Sequence, residues 1–158
     1  MKFDAVMRKV AQVIAVCTAL YHVYIGFFGL IRPLANYAIT LSLFMCLVFL
    51  YVPFRGKGKR ITVFDACLAA LSLVVGLYIV VNYPELSVRP TMVGELTNFE
   101  YGLGILAILL VLETTRRTIG WSLVCIALLF LLYGYFGNHL PGMFSHSGFS
   151  SWDIVEAM

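Results

Sequence analysis

A chain of 158 residues that is 61% hydrophobic and only 12% charged is not composed like a water-soluble domain, in which about a quarter of the residues carry charge. Its formal charge of +3 is modest and confined to short segments, and no basic face is interleaved with aromatics, so a nucleic-acid-binding role is excluded. What remains is an all-α, polytopic integral membrane helical bundle, with membrane lipid as its first partner.

The first residues carry Lys2, Arg8 and Lys9 ahead of an uncharged apolar run, 10–31, long enough to span a bilayer. Cleavage as a signal peptide is the rival reading. It is disfavoured because bulky Tyr21, Tyr24, Phe27 and Phe28 stand where a small-residue cleavage site is needed. Arg32 and Pro33 interrupt the run, and 34–54 resumes it without a charge, so the first two spans form a tight helical hairpin. Between Arg55 and Arg60 follow four positive residues and two glycines, a solvated loop. The loop lacks the spacing of a phosphate-binding P-loop and reads as a topology signal.

The third span, 63–83, opens on Thr62-Val63-Phe64-Asp65, in which the Thr62 hydroxyl and the Asp65 carboxylate can satisfy the free amides of a helix start. Residues 84–98 contain two prolines with Glu85, Arg89 and Glu95, and make an extended polar loop on the opposite face. The twelve uncharged residues 101–112 extend only about 18 Å as helix, against a hydrocarbon core of roughly 30 Å. A fourth span must therefore run over about 99–117, with Glu100 at one surface and Arg116 and Arg117 snorkelling at the other. The fifth, 119–137, carries Trp121 near one end and Tyr133, Tyr135 and Phe136 near the other, the distribution of a helix anchored at both interfaces.

The positive segments 2–9, 55–60 and 116–117 alternate consistently onto one side, and by the positive-inside rule that side, with the N-terminus, is cytoplasmic. Residues 138–158 then form a periplasmic loop and a helix start, with Ser150 as N-cap, Asp153 at N3 and Phe149 able to pack on Ile154. Only eight residues follow Ser150, fewer than the roughly 12–15 an isolated helix needs. The expectation is that the natural chain continues beyond Met158.

For chemistry, Glu113, Arg116 and Arg117 stand at i, i+3 and i+4, which brings one carboxylate beside two guanidinium groups and reads as a structural bracket at the interface more readily than as a proton relay. Cys17, Cys46, Cys67 and Cys125 all lie in apolar runs and read as small buried hydrophobes. His22 has no ligand partner within its span, and His139 and His146 match no helical metal spacing, so neither metal nor haem is expected. No catalytic constellation is visible, and the chain reads as a non-enzyme without a cofactor.

The stretches Leu110-Val111-Leu112-Glu113-Thr114-Thr115-Arg116-Arg117-Thr118-Ile119-Gly120-Trp121, Tyr133-Gly134-Tyr135-Phe136-Gly137, Leu140-Pro141-Gly142 and His146-Ser147-Gly148-Phe149-Ser150 resemble the N-terminal region of TRAP transporter fused permeases. These are tripartite ATP-independent periplasmic transporters in which the small and large membrane subunits form one chain. Arg32, the run Phe49-Leu50-Tyr51-Val52-Pro53 and Phe64-Asp65 add to the resemblance. Gly120, Pro141, Gly142, His146 and Gly148 are the motif residues, whereas Asn36-Tyr37 and His146-Ser147 depart from the pattern. The resemblance implies uptake of small organic acids across the bacterial inner membrane, driven by a cation gradient, usually sodium. It also implies a TAXI-type periplasmic solute-binding protein as partner. Solute and sodium sites would lie in a large permease region after Met158, and the present segment would act as scaffold. Two other classes are a free-standing membrane assembly subunit and a haem-linked membrane enzyme subunit.

Overall fold

The computed structural model describes residues 2–29, 32–56, 60–89, 97–137 and 149–157. Among these the chain is helical, with no strand. Four helices are long and apolar enough to cross a membrane: α1 (Lys2–Phe28), α2 (Pro33–Tyr51), α3 (Val63–Val81) and α5 (Asn98–Thr118). A one-turn α4 (Tyr83–Leu86), a shorter apolar α6 (Trp121–Phe136) and a terminal α7 (Ser151–Ala157) complete the order. This is an all-α membrane architecture. Its outward faces are greasy: Val13, Val16 and Leu20 of α1 and Leu129 and Phe130 of α6 are each at least 59% exposed, an area of apolar surface that water would not tolerate.

The chain divides into two compact units, residues 1–88 and 89–158. In the first, α2 packs on both α1 and α3. Proline at the first position of α2 supplies a preset φ and no surplus amide, and Thr62 caps α3. The α2–α3 seam is lined with small residues. Ala38, Ser42, Ala69 and Ser72 are buried there, and Gly76 faces Ser42 so closely that an added Cβ would collide with the Ser42 side chain. Between helices in lipid the hydrophobic effect gives no drive, and close approach of this kind is what gains dispersion energy. Met45, Cys46, Phe49 and Leu50 continue the buried face of α2. The expected run to residue 54 stops at Tyr51, because the segment Val52-Pro53-Phe54-Arg55-Gly56 turns: the Gly56 amide donates to the Pro53 carbonyl at 2.8 Å, with Gly56 at φ 107°.

In the second unit, α5 packs on α6 and α7, and α6 on α7. Helix α5 begins one residue before the expected start, capped by Thr97 with Glu100 reaching back to the Thr97 amide at 2.7 Å. The Thr-x-x-Glu pattern was present in the sequence to announce it. The turn between α5 and α6 falls at Gly120, whose φ of 108° is accessible to glycine at little cost. The charged residues 113–117 lie within α5, ahead of this turn. Helix α7 is docked, not free: Trp152 stacks on Tyr101 at 4.3 Å between centroids, and Val155 fills the space left by the missing side chain of Gly104.

Candidate functional site

Helix α5 ends in a polar turn and a half whose hydroxyls and carboxylate are bonded within the helix. The Thr114 hydroxyl donates to the Leu110 carbonyl at 2.7 Å and that of Thr115 to Val111 at 2.8 Å, so neither hydroxyl is left bare beside apolar surroundings. Glu113 takes Arg116 in a two-pronged bond, Nε to Oε2 at 2.7 Å and Nη2 to Oε1 at 2.8 Å, and takes Arg117 Nε on Oε1 at 2.7 Å. Helical periodicity puts the three on one face, and the planar guanidinium matches the carboxylate. Both carboxylate oxygens are thus committed to cations, which suits a clamp and not a proton-accepting base. Arg116 also sits 5.6 Å from the centre of the Trp121 ring, so one side chain ties the end of α5 to the start of α6 across Gly120. The surroundings of the two arginines differ: the Arg116 side chain is 22% exposed and that of Arg117 only 2%.

A second polar centre lies at the opening of α3. Asp65 has no exposed surface. Its Oδ2 accepts the Thr62 amide at 2.9 Å and the Thr62 hydroxyl at 2.6 Å, completing the capping box, while its Oδ1 accepts the Phe54 amide at 2.9 Å. One carboxylate therefore holds both ends of the connection between α2 and α3. Asp4, far away in sequence, holds it again: Oδ1 accepts the Ile61 amide at 2.8 Å, and Oδ2 binds Arg8 at 3.2 Å. The Ile61 side chain is buried beneath. In the second unit, Arg89 bonds both oxygens of Glu100 at 3.2 Å. Ser150 and Asp153 cap α7 reciprocally, the Ser150 amide donating to Asp153 at 2.8 Å and the Asp153 amide to Ser150 Oγ at 3.2 Å.

A third set joins α1 to α2. Tyr21 donates to Asn36 Oδ1 at 2.6 Å, and His22 Nε2 lies 3.2 Å from the Thr40 hydroxyl while Nδ1 lies 2.8 Å from the Thr18 carbonyl. A carbonyl can only accept, so Nδ1 carries a proton, and Nε2 can accept a hydrogen bond donated by the Thr40 hydroxyl. His22, which has no ligand partner within its span, thus has a hydrogen-bond partner on the next helix. Sequence spacing could not find it, because the residues are 18 apart and nothing local says which faces meet.

Among the described residues no three His, Cys, Asp or Glu side chains are grouped to hold a metal ion. Cys46 is buried and Cys17, Cys67 and Cys125 are exposed, all as free thiols. The motif residues Pro141, Gly142, His146 and Gly148, and also His139, lie outside the described residues. Gly120 is described, and is the left-handed residue between α5 and α6. Comparison of the chain with known families, with curated proteins and with solved structures returns no match.

Proposed function

We propose that this chain is a scaffold element of a membrane transport permease, corresponding to the small-subunit-like N-terminal part of a TRAP-type secondary transporter. The observation that carries the reading is the Glu113–Arg116–Arg117 clamp. The stretch most like the permease family is also the stretch in which charged side chains bind the end of one helix and reach the start of the next. Most of the other polar side chains described above are spent the same way, on helix caps and on contacts between helices. A rigid, stationary part of a transporter needs this, whereas a moving solute-carrying part needs polar groups turned toward a cavity near the midplane. On this reading the protein lies in the bacterial inner membrane with its N-terminus and its 55–60 loop cytoplasmic. A TAXI-type periplasmic receptor delivers a small organic acid, and a large permease region binds solute and sodium.

The test is to read the gene past the Met158 codon together with its neighbours. An open frame encoding many further spans, beside a gene for a secreted binding protein, supports the permease. A stop codon there, with no such neighbour, overturns it in favour of a free-standing membrane assembly subunit.

A further inference from the structure

Asp4 pins the connection between α2 and α3 onto the first turns of α1 and Asp65 pins it onto α3, and this arrangement gathers cations from two separate elements. Asp4, Arg8 and Ala11 share one face of α1 by helical spacing, and Ala11 is 1% exposed, so that face is turned inward toward its neighbours. On the same face Asp4 holds Arg8 and the Ile61 amide. Arg60 therefore emerges from a backbone tied to α1, next to the buried anchor Ile61, and its charge is felt at Asp4. Asp65 holds the Phe54 amide, so Arg55, at the corner of the Pro53–Gly56 turn, rises from a second fixed point on the same carboxylate that holds Thr62. Arg55 and Arg60 are exposed, and the Arg8 side chain is about half so.

A loop that served only to mark topology would need the charges but not the pinning. Orientation is set by counting Lys and Arg near a span and is indifferent to their geometry. The apolar neighbours point to the kind of ligand. Phe3, Phe54 and Phe64 are each more than 40% exposed, and the Phe54 and Phe64 rings meet edge to face with centroids 6.0 Å apart. A soluble anion has no use for exposed aromatic surface beside its cations; an amphiphile with an anionic head and acyl tails uses both.

We propose that Arg8, Arg55 and Arg60, with the exposed faces of Phe54 and Phe64, form a binding site for an anionic phospholipid whose headgroup phosphate is engaged by the three guanidinium groups. The site does not depend on the transporter reading and would serve any membrane protein built this way.

The experiment is native mass spectrometry of the full chain in detergent, titrated with phosphatidylglycerol, with phosphatidylcholine and with inorganic phosphate. Phosphatidylglycerol binds in preference to phosphatidylcholine, and inorganic phosphate at the same concentration does not displace it. Each juxtamembrane cation near an anionic surface contributes about five-fold in affinity, so R55Q/R60Q loses roughly thirty-fold toward phosphatidylglycerol and little toward phosphatidylcholine. R8Q, on the other element, loses about five-fold and decides the matter if the double variant does not fold. Lys9 lies about 100° round the helix from Arg8, and K9Q loses less than R8Q. Equal binding of the two lipids, displacement by inorganic phosphate, or an equal loss in K9Q and R8Q, which is the mark of bulk charge, would each overturn the proposal.

Discussion

Glu113 serves two guanidinium groups in unlike surroundings, and the difference decides which substitution matters. Arg116 reaches solvent and also leans on Trp121, so removing its charge leaves the rest of the cluster intact. The Arg117 side chain is 2% exposed, and a buried guanidinium deprived of a carboxylate keeps its desolvation penalty while losing the attraction that offsets it. Glu113→Gln should therefore lower stability by about 2–3 kcal/mol. Arg116→Gln should lower it by less than about 1 kcal/mol, as at an exposed pair. Thermal unfolding of the purified protein in detergent ranks the two, and equal midpoints would show that Arg117 does not depend on Glu113. This cluster was legible in the sequence because its members are three and four residues apart on one helix, where spacing alone fixes proximity. The same holds for Thr62 with Asp65 and for Ser150 with Asp153. Spacing was silent on the bond from Asp65 back to Phe54 and on that from Asp4 to Ile61, which cross 11 and 57 residues. Nor did it pair His22 with Thr40. Such contacts depend on which helix faces meet, and a uniformly apolar span contains little local record of that.

Between elements of the first unit, a tight geometric constraint is the α2–α3 seam, where Gly76 and Ser42 leave no room for one another's side chains to grow. A Cβ at Gly76 would run into both Oγ and Cβ of Ser42 and stand 3.2 Å from the Ala38 carbonyl. Rotating the hydroxyl away cannot relieve the contact with Cβ, so the helices must separate. Gly76→Ala is expected to destabilise by about 1–3 kcal/mol, the usual range for overpacking. Gly102→Ala, with nothing within 4 Å, should stabilise α5 by up to about 1 kcal/mol through helix propensity alone. The rescue pattern is specific. Ser42→Gly in the Gly76→Ala background removes the obstructing Cβ and recovers most of the loss, whereas Ser42→Ala keeps that Cβ and recovers little. Melting temperatures of the four proteins check this, and rescue by Ser42→Ala would show that the hydroxyl, not the close approach of the helices, sets the seam. Nothing in the local sequence distinguishes a glycine that faces a neighbour from one that does not. Gly26 and Gly102 meet nothing, while Gly76 and Gly104 are filled by residues of other helices.

At the scale of the molecule, the number of crossings made by the described residues turns on α6. Among the described residues four helices have the length and hydropathy to span. Helix α6 is as apolar but has only 16 residues, about 24 Å against a hydrocarbon core of roughly 30 Å. Two physical arguments favour a fifth crossing. A helix lying in the interface needs one polar and one apolar face, yet among its residues Ser122 is the only strongly polar one. Its aromatics also stand at both ends, Trp121 at one and Tyr133, Tyr135 and Phe136 at the other, as expected where each end meets a headgroup layer. The shortfall of a few ångströms can be met by local thinning of the bilayer or by flanking residues, at a fraction of a kcal/mol per ångström. A periplasmically active phosphatase reporter fused after Gly56 or Gly120 should then be inactive, and after Ser87 or Gly137 active. Activity after Ser87 but none after Gly137 would leave α6 on the side where α5 ends, and the described residues would cross four times.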